Sequence, residues 1–384
     1  MSVPHAPPFD AFLADLACLG VEPAFSDAPD GHTYGCLKAR SNARWWLAPL
    51  SDRKATLAGL AMFQPTTSKS KAVKAATSGL VSLGLGSTVL RAHLTLSGLP
   101  DVLQARSWPQ SMTECAYFTG TDGPHRKTAI QIIGAEGKIL GYGKLSRNPQ
   151  IWPYLAQEAN ILKRLPLLDL QSANTPQLMF NQAQPDHHLL VTDTLRQGNY
   201  STPRNPGLLH HAFLSELATK TRRTDSDGTF TADMSRLFDR IAPDLNTVWQ
   251  LRLRRSLEVL RDAAPAILCL CHGDFTPSNC FVTGSGLYVF DWEYALPHGP
   301  LGYDLAHFRL SSSGKPETLA PLISELAGNY FHGKNDQARL AVLRYLMRHA
   351  LFYLERSLLA DSTTRTWGER DLRGALLDQL LSHI

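Results

Sequence analysis

The chain lacks the marks of a secreted, membrane-spanning or nucleic-acid-binding protein. Its first residues, MSVPHAPPFDAF, contain no basic start, apolar run or small-residue cleavage site of a secretory signal. The uncharged stretch 75–90 is rich in Ser, Thr and Gly and is shorter than the ~20 apolar residues of a spanning helix. No Lys/Arg block with interleaved aromatics accompanies the formal net charge of +4. We therefore expect a cytoplasmic protein without a membrane span that binds no nucleic acid.

Cysteine is also sparse, with six residues scattered over 384. This pattern argues against a disulfide framework. Cys269 and Cys271, with His272 and Cys280 nearby, invite a comparison with zinc sites, but their spacing matches none of the usual zinc patterns. A Cys-x-Cys within the apolar run 267–271 fits alternate positions of a buried strand. We expect plain buried thiols.

The length predicts more than one lobe, because chains beyond roughly 250 to 300 residues usually divide. A hydrophobic fraction of 43% and a charged fraction of 19% are those of an ordinary globular protein. Residues 1–110 form a segment of unknown role, with a predicted helix over Phe9–Leu19 and a short apolar run over Trp45–Leu50. Its basic cluster is typical of a solvated face, the alternative being contact with an acidic partner or a lipid surface: Lys69, Lys71 and Lys74.

The pattern after residue 110 predicts strands around one helix, followed by a mostly helical body. Alternating apolar residues and intervening turns predict an antiparallel meander over Glu114–Thr121, Lys127–Ala135 and Lys138–Ser146. A helix over Trp152–Leu165 and strands over Gln177–Asn181 and His188–Thr192 follow. A polar linker over Arg196–Pro206 precedes the helical part, which one hairpin between Ile267 and Asp291 interrupts. The predicted domains are thus an amino-terminal extension (1–110), a nucleotide-binding lobe (111–195) and a helical lobe (196–384).

The strongest chemical signal is CHGDFTPSNCFVTGSGLYVFDWE, from Cys271 to Glu293. An apolar strand opens there into a polar loop, and a hairpin returns to an acidic residue. If Phe281 and Val282 face Tyr288 and Leu287, Asn279 lies close to Asp291. An amide oxygen and a carboxylate suit Mg²⁺ when a nucleotide supplies further ligands. Asp274 is then available to orient a hydroxyl and accept its proton during phosphoryl transfer.

These residues carry a resemblance. Asp274 and Asn279 stand at the D-x-x-x-x-N spacing of the kinase catalytic loop, and His-Gly-Asp (272–274) with Asp-Trp-Glu (291–293) resembles the aminoglycoside phosphotransferase and choline kinase-like family. The resemblance implies an α+β, two-lobed protein kinase-like fold. It implies that Asp274 is the catalytic base, that Asn279 and Asp291 hold metal and that His272 braces the loop. The trailing motif 300–306 is similar to the family's acidic motif, which implies that Asp304 supports the catalytic loop.

The front half supplies the lysine and the carboxylate that a kinase-like site needs. Lys144 shares a strand face with Leu140 and Tyr142. Glu158 falls on the apolar stripe of the next helix, where a charged carboxylate needs a cation. We predict that Lys144 pairs with Glu158 and binds the α- and β-phosphates. The alternative is a glutamate that reaches water at the edge of the stripe.

Two further segments are predicted to contact the nucleotide. The segment Phe118–Gly123 has a backbone that could fold over phosphates, through Gly120, Thr121 and Gly123, although it lacks the full glycine pattern of protein kinases. After the last front-lobe strand, Thr192, Asp193 and Thr194 are predicted as the hinge whose backbone meets adenine.

The predicted function is transfer of the γ-phosphoryl group of ATP, with Mg²⁺, to a hydroxyl of a small molecule. No long insert separates Asp291 from Asp304, which argues against a polypeptide acceptor. Two alternatives stay open: a nucleotide-binding regulator that transfers no phosphate, and a protein or peptide kinase. The HGDFTPSN sequence is similar to phosphotransferases of bacterial surface-polysaccharide synthesis, so a sugar or glycan-precursor hydroxyl is the acceptor expected. The resemblance implies that the acceptor binds on the helical lobe, near Ala338–Leu359, where Arg348 and Arg356 alternate with aromatic residues. The alternative is a helical stripe that is part core and part solvated face.

Overall fold

A computed structural model describes residues 7–25, 28–39, 44–65, 67–121, 123, 125–197, 203–284, 286–312, 318–359 and 367–383. The chain divides into two compact units, residues 1–159 with 176–199 and residues 160–175 with 200–384. Helices and an antiparallel sheet are both present, which confirms the predicted α+β class.

The strands, numbered along the chain, are β1 Gly31–Lys38, β2 Trp45–Pro49, β3 Ala92–Ser97, β4 Met112–Phe118, β5 Thr128–Gly134, β6 Ile139–Ser146, β7 Ala173–Asn174, β8 Leu178–Ala183, β9 His188–Asp193, β10 Arg223–Thr224, β11 Ile267–Cys271, β12 Cys280–Thr283, β13 Gly286–Val289 and β14 Leu296–Pro300. The helices are α1 Pro7–Ala17, α2 Arg53–Leu60, α3 Ser68–Ser82, α4 Gly86–Val89, α5 Asp101–Gln104, α6 Trp152–Arg164, α7 Leu208–Thr221, α8 Thr229–Ile241, α9 Thr247–Asp262, α10 Tyr303–Ser312, α11 Leu319–Tyr330, α12 Asn335–Leu359 and α13 Arg370–Leu381.

The first unit is built on an eight-stranded antiparallel sheet in the order β3-β1-β2-β4-β5-β6-β9-β8. The predicted meander corresponds to β4, β5 and β6, and the predicted helix to α6. Successive side chains of these strands point to opposite faces of the sheet, and Tyr117, Ile130 and Leu145 are fully covered on one of them. Helix α1 begins two residues before the predicted helix Phe9–Leu19 and ends two residues before its end. Its Phe12 packs against Tyr117, with ring centroids 5.9 Å apart.

The residues before 110 contribute strands to this same sheet. Strand β2 continues it from β4, with Trp46 opposite Phe118 and Leu47 opposite Tyr117. Helix α2 covers the other face, where the buried amide of Gln131 donates to the carbonyl of Ala58 at 2.8 Å. Only the run Trp45–Leu50 was read as apolar from the sequence, and β1 and β3 are additional. The division of the chain into an extension of unknown role, residues 1–110, and two lobes stays a prediction.

The second unit is mostly helical and contains two three-stranded sheets, β10-β11-β14 and β12-β13-β7. The hairpin β12–β13 has the predicted register, with Phe281 opposite Tyr288 and Val282 opposite Leu287. Cys269 and Cys271 are buried on β11 with their sulfur atoms 3.8 Å apart, as expected for a strand interior. Burial raises the pKa of the Cys271 thiol well above its ordinary value.

Parts of three predicted segments lie outside the described residues: 198–202 in the linker, Asp122 in the phosphate loop and Ser285 in the hairpin turn. Within the described ranges, no helix combines the length and the apolar character needed to span a bilayer. The cytoplasmic location stays a prediction.

Candidate active site

The predicted catalytic loop starts where β11 ends, at a glycine that cannot be replaced without a clash. Gly273 has φ = +83°, and a Cβ atom there would lie 1.9 Å from the carbonyl oxygen of Tyr294. Only glycine combines this conformation with so close an approach to another backbone. The loop is fixed from the other side by Asp304, in the first turn of α10. Its Oδ2 accepts the N–H of His272 at 2.7 Å and its Oδ1 accepts the N–H of Gly273 at 2.9 Å.

The side chain of His272 ties the loop to the end of the hairpin. Its Nδ1 lies 3.3 Å from the N–H of Asp274 and its Nε2 lies 2.9 Å from the carbonyl oxygen of Phe290. Because the backbone N–H can only donate, Nδ1 is the acceptor, and Nε2 carries the proton that it donates to Phe290. Burial raises the pKa of the Asp304 carboxyl, and the nearby His272 opposes that rise. These hydrogen bonds connect the loop to α10 and to the hairpin, and the bracing role of His272 and the supporting role of Asp304 stay predictions.

The carboxylate of Asp274 is held at both oxygens while its side chain stays 31% exposed. Its Oδ2 accepts from the amide nitrogen of Asn279 at 2.9 Å. Its Oδ1 lies 2.9 Å from Nε2 of His307. The same Asn279 nitrogen also donates to the backbone carbonyl of Asp274 at 2.9 Å. A carboxylate oriented in this way, with lone pairs left over, can receive a hydrogen bond from a substrate hydroxyl.

His307 was not predicted from the sequence. It is buried on α10, and its Nδ1 lies 3.2 Å from the hydroxyl of Tyr345 on α12. If Nε2–H donates to Asp274, Nδ1 accepts the Tyr345 O–H, so the tyrosine fixes the tautomer that serves the carboxylate. A signal was available, because His307 follows Asp304 by three residues and the two share a helix face.

The two predicted metal ligands lie side by side at the base of the hairpin. The N–H of Phe290 donates to the carbonyl of Asn279 at 3.1 Å, which brings Asp291, the next residue, close to Asn279. The Asn279 amide nitrogen is engaged with Asp274, which leaves its Oδ1 as the atom suited to a cation. Asp291 adopts φ = +71°, an uncommon conformation for a non-glycine residue and one that clusters at functional sites.

A second carboxylate adds oxygen ligands at this point. Glu293 is buried, and one of its carboxylate oxygens lies within 4.8 Å of a carboxylate oxygen of Asp291. Hard oxygen donors of this kind, an amide and carboxylates, are the ligands that Mg²⁺ prefers. The residues present therefore fit the metal that the sequence predicted, although Glu293 was not among the predicted ligands.

In the first unit, Lys144 and Glu158 form the ion pair that was predicted. Lys144 Nζ lies 2.6 Å from Glu158 Oε2, and the glutamate side chain is only 2% exposed. Tyr142 shares the strand face of Lys144, and its hydroxyl donates to the buried amide oxygen of Gln131 at 3.2 Å. The pair orients the ammonium group, and its predicted contact with phosphates stays a prediction.

The predicted phosphate loop is shaped by backbone contacts. Gly120 has φ = +82°, and a Cβ atom there would lie 2.3 Å from the carbonyl oxygen of Lys127. The guanidinium of Arg126 donates to the carbonyl of Thr119 at 2.7 Å. Thr121 and Gly123 follow this fixed point, and the phosphate contacts predicted for Gly120, Thr121 and Gly123 stay predictions.

The predicted hinge continues strand β9. Thr192 lies opposite Tyr142 and Asp193 opposite Gly141 in the sheet register. The N–H of Asp193 donates to the carbonyl of Gln177 at 3.0 Å, so this group is already used within the sheet. The hydroxyl oxygen of Thr194 accepts the N–H of Arg196 at 2.9 Å. The predicted backbone contact with adenine would therefore have to come from a group of this segment other than the Asp193 N–H.

Residues 207–343 match the model of the phosphotransferase enzyme family, APH, and this range contains Asp274, Asn279, Asp291, Asp304 and His307. Comparison with the curated proteins gave no match.

Three solved structures illustrate the structural similarities. The GDP and kanamycin complex of APH(2")-IIIa is 15% identical, with 72% of this chain and 95% of that chain covered and a TM-score of 0.49. A thermostable mutant of aminoglycoside phosphotransferase APH(4)-Ia is 11% identical, with 71% and 95% covered and a TM-score of 0.49. The streptomycin-ATP-APH(2")-IIa ternary complex is 14% identical, with 71% and 92% covered and a TM-score of 0.43. The resemblance predicted from the motifs is confirmed by the family match over residues 207–343, and the protein is a phosphotransferase.

Proposed function

We propose that the protein transfers the γ-phosphoryl group of ATP to a hydroxyl group of a small molecule, with Asp274 as the base. The observation that carries the proposal is the anchoring of Asp274, which accepts from Asn279 and His307 on a loop fixed by Asp304. Such anchoring fixes the direction from which an acceptor hydroxyl must approach, and positioning of this kind supplies much of the catalysis in phosphoryl transfer.

The chemical step follows from this geometry. The acceptor hydroxyl donates to a carboxylate oxygen of Asp274 and is aimed at the γ-phosphorus. As its oxygen forms a bond to phosphorus, the bond from phosphorus to the ADP oxygen breaks and the hydroxyl proton passes to Asp274. Asp274 then returns that proton to solvent or to the departing products.

The remaining predicted residues bind the nucleotide. Asn279 and Asp291, with Glu293 beside them, would hold Mg²⁺, which when bound neutralises charge on the phosphates. Lys144, oriented by Glu158, is assigned to the α- and β-phosphates. The presence of this complete set argues against a regulator that binds a nucleotide without transferring phosphate. The short stretch between Asp291 and Asp304 argues for a small-molecule acceptor over a polypeptide.

The test is phosphate transfer from radiolabelled ATP, with Mg²⁺, to a panel of sugars, sugar acids, sugar phosphates and amino alcohols. Asp274→Asn is expected to lower kcat by about 10²- to 10⁴-fold, because general base catalysis typically contributes that much. Its affinity for a fluorescent ATP analogue should stay within about twofold of wild type. Asp262→Asn, at the exposed end of α9, is the matched control and should leave both quantities unchanged. An Asp274→Asn variant as fast as wild type would end the assignment, and labelling of polypeptides alone would favour a protein kinase.

A further inference from the structure

Helix α12 presents two arginines on one face with an aromatic residue between them. The four-residue spacing of Arg348, Phe352 and Arg356 places them in one row along the helix. All three side chains are half-buried. The guanidinium carbon of Arg348 lies 5.9 Å from the centroid of the Phe352 ring, and that of Arg356 lies 5.2 Å from it.

Two tyrosines complete an aromatic shelf, which we define as Tyr294, Phe352 and Tyr353. The Arg356 guanidinium carbon lies 5.7 Å from the Tyr294 ring centroid and 5.4 Å from the Tyr353 ring centroid. Within the shelf, the ring of Phe352 meets that of Tyr294 edge-on at 5.4 Å and that of Tyr353 edge-on at 5.2 Å. Arg356 therefore contacts all three rings.

The shelf adjoins the catalytic loop. The carbonyl of Tyr294 is the group against which Gly273, the neighbour of Asp274, is closely packed. Ring contacts also connect the shelf to Asp274. His307 is hydrogen-bonded to Asp274, its ring centroid lies 5.4 Å from that of His349, and the His349 centroid lies 4.7 Å from that of Tyr353. Burial raises the pKa of Tyr353 to about 12, with the negative charge of Asp274 adding to the rise and Arg356 opposing it. The charges of Asp274 and Arg356 thus both influence Tyr353, a residue of the aromatic shelf.

The two arginines differ from the other charged residues of α12 in what they contact. Glu355 pairs with Arg240, and Arg344 donates to the carbonyl of Ala264 at 2.8 Å. Arg348 and Arg356 have no hydrogen bond or ion pair with any residue in the described part of the chain; their contacts are with ring faces. A guanidinium stacked on a ring keeps its N–H groups, which lie in its plane, available for a carboxylate or phosphate.

We propose that Arg348 and Arg356 form an anion subsite for the acceptor, which is a hydroxylated small molecule that carries a carboxylate or a phosphate group. The proposal rests on the proposed function and names its substrate class. The acidic group binds the arginines, the carbon skeleton lies on the aromatic shelf, and a hydroxyl reaches Asp274. The same two positive charges repel polycationic acceptors such as aminoglycosides, so the subsite selects by attraction and by repulsion.

The first experiment compares acceptors that differ mainly in charge: glucose, glucuronate, glucose 6-phosphate and kanamycin. Wild type is expected to show a higher kcat/KM for glucuronate or glucose 6-phosphate than for glucose, and the least activity with kanamycin. The ratio between the two anionic sugars distinguishes a carboxylate-binding from a phosphate-binding subsite. A higher kcat/KM for glucose or kanamycin would overturn the subsite while leaving the proposed function intact.

The second experiment uses variants at Arg356. Arg356→Glu is expected to raise KM for the preferred anionic sugar by at least about tenfold, because a charge-assisted hydrogen bond is replaced by repulsion. In the same variant, KM for ATP should stay within about twofold of wild type. Arg356→Lys should have a KM for the anionic sugar between those of wild type and Arg356→Glu. Arg339→Glu on the same helix, where the arginine pairs with Asp336, is the matched control and should change neither KM. An unchanged KM for the anionic sugar in Arg356→Glu would overturn the subsite.

A binding measurement separates failure of the subsite from failure of the proposed function. Titration calorimetry of glucuronate and glucose 6-phosphate into wild type should show binding that Arg356→Glu loses. If these sugars bind but no compound is phosphorylated, the proposed function fails and the subsite stands. If neither sugar binds wild type, the subsite is wrong whatever the activity.

Discussion

The proposed catalytic loop of the second unit and the predicted nucleotide segments of the first unit are held in different ways. Around Asp274, the constraints come from side chains. Asn279 and His307 form hydrogen bonds with the Asp274 carboxylate, and His272 and Asp304 accept from N–H groups of the loop. Around Gly120 and Asp193, backbone groups are engaged by neighbouring strands and turns. Side chains also contribute in the first unit, where Arg126 donates to the carbonyl of Thr119 and Lys144 Nζ lies 2.6 Å from the buried carboxylate of Glu158.

This difference explains where sequence motifs are informative. A side-chain network requires particular residue types at particular spacings, so it is visible as a motif. A backbone contact requires only a permitted conformation, which many residues adopt. The following substitutions probe the comparison, in order of decreasing effect.

Gly273→Ala should have the largest effect, because a methyl group would collide with the carbonyl of Tyr294. Displacement of the neighbouring Asp274 by about 1 Å is expected to lower kcat about 10²-fold or more. Gly228→Ala is the matched control: that glycine also has positive φ, +68°, but a Cβ atom there meets nothing within 4 Å. Steady-state kinetics measures kcat of both variants, and thermal unfolding shows whether each variant is folded. Equal activity losses in the two would show that the clash at Gly273 is unimportant.

Lys144→Met should be next. It removes the ammonium assigned to the phosphates and leaves Glu158 buried without its cation. We expect kcat/KM for ATP to fall between about 10- and 10²-fold, the value of one charge-assisted hydrogen bond. Lys54→Met, which breaks the exposed pair of Lys54 with Glu136 in the same unit, is the control and should change the value less than twofold. If Lys144→Met retained full kcat/KM for ATP, the pair would be structural only.

His307→Asn tests the side-chain network through a residue that positions Asp274. Loss of the hydrogen bond to the carboxylate should lower kcat about tenfold, with KM for ATP unchanged within twofold. Tyr345→Phe should give a smaller loss in the same direction, because it releases the other side of the imidazole. His298→Asn, at an exposed position on β14, should be silent. A fall in unfolding temperature with normal kcat would assign His307 to stability alone.

The smallest effect concerns acid stability of the second unit away from the loop. Burial raises the pKa of Glu216, but hydrogen bonds from the Ser172 hydroxyl and from the N–H groups of Gln171 and Ser172 outweigh it and lower the pKa to about 2. A carboxylate with a depressed folded-state pKa stabilises the fold above its unfolded pKa, and that stability is lost as pH falls from about 4.5 toward 2.

Glu216→Gln should therefore reduce the free energy of unfolding at pH 7 and flatten its decrease between pH 5 and 3. Urea unfolding at several pH values measures both. Glu258→Gln, at an exposed position on α9, is the control. An unchanged slope in Glu216→Gln would mean that these hydrogen bonds do not persist in solution.

Much of the fold after residue 110 was predictable from apolar alternation and turns. The meander, helix α6 and the hairpin register follow from local pattern, since each side of the hairpin offers matching apolar pairs. Strands β1 and β3 were not predicted. Strand β3 pairs with β1, which lies far before it in the chain, and Gly31, Gly35 and exposed positions weaken the alternation of β1 and β3.

Of the site, the parts that depend on residue type were predictable and those that depend on packing were not. The Lys144–Glu158 contact followed from a charged residue on an apolar stripe. His307 was missed because its partners, Asp274 and Tyr345, come from two other elements, and its spacing from Asp304 is a local signal that names neither of them. Arg348 and Arg356 were noted only as part of a helical stripe, since the rings that they cover include Tyr294 from a distant loop.

The pairing of β2 with β4 bears on how this enzyme can be shortened. A fragment that began at residue 110 would leave Phe118 and Tyr117 on an unpaired sheet edge and strip the cover of Phe12 and Tyr34 from the Tyr117 ring. Exposed edges of this kind join those of neighbouring molecules and aggregate. We therefore expect that the enzyme must be expressed with its first hundred residues. A truncated protein that lacks them should aggregate and precipitate before its activity can be assayed.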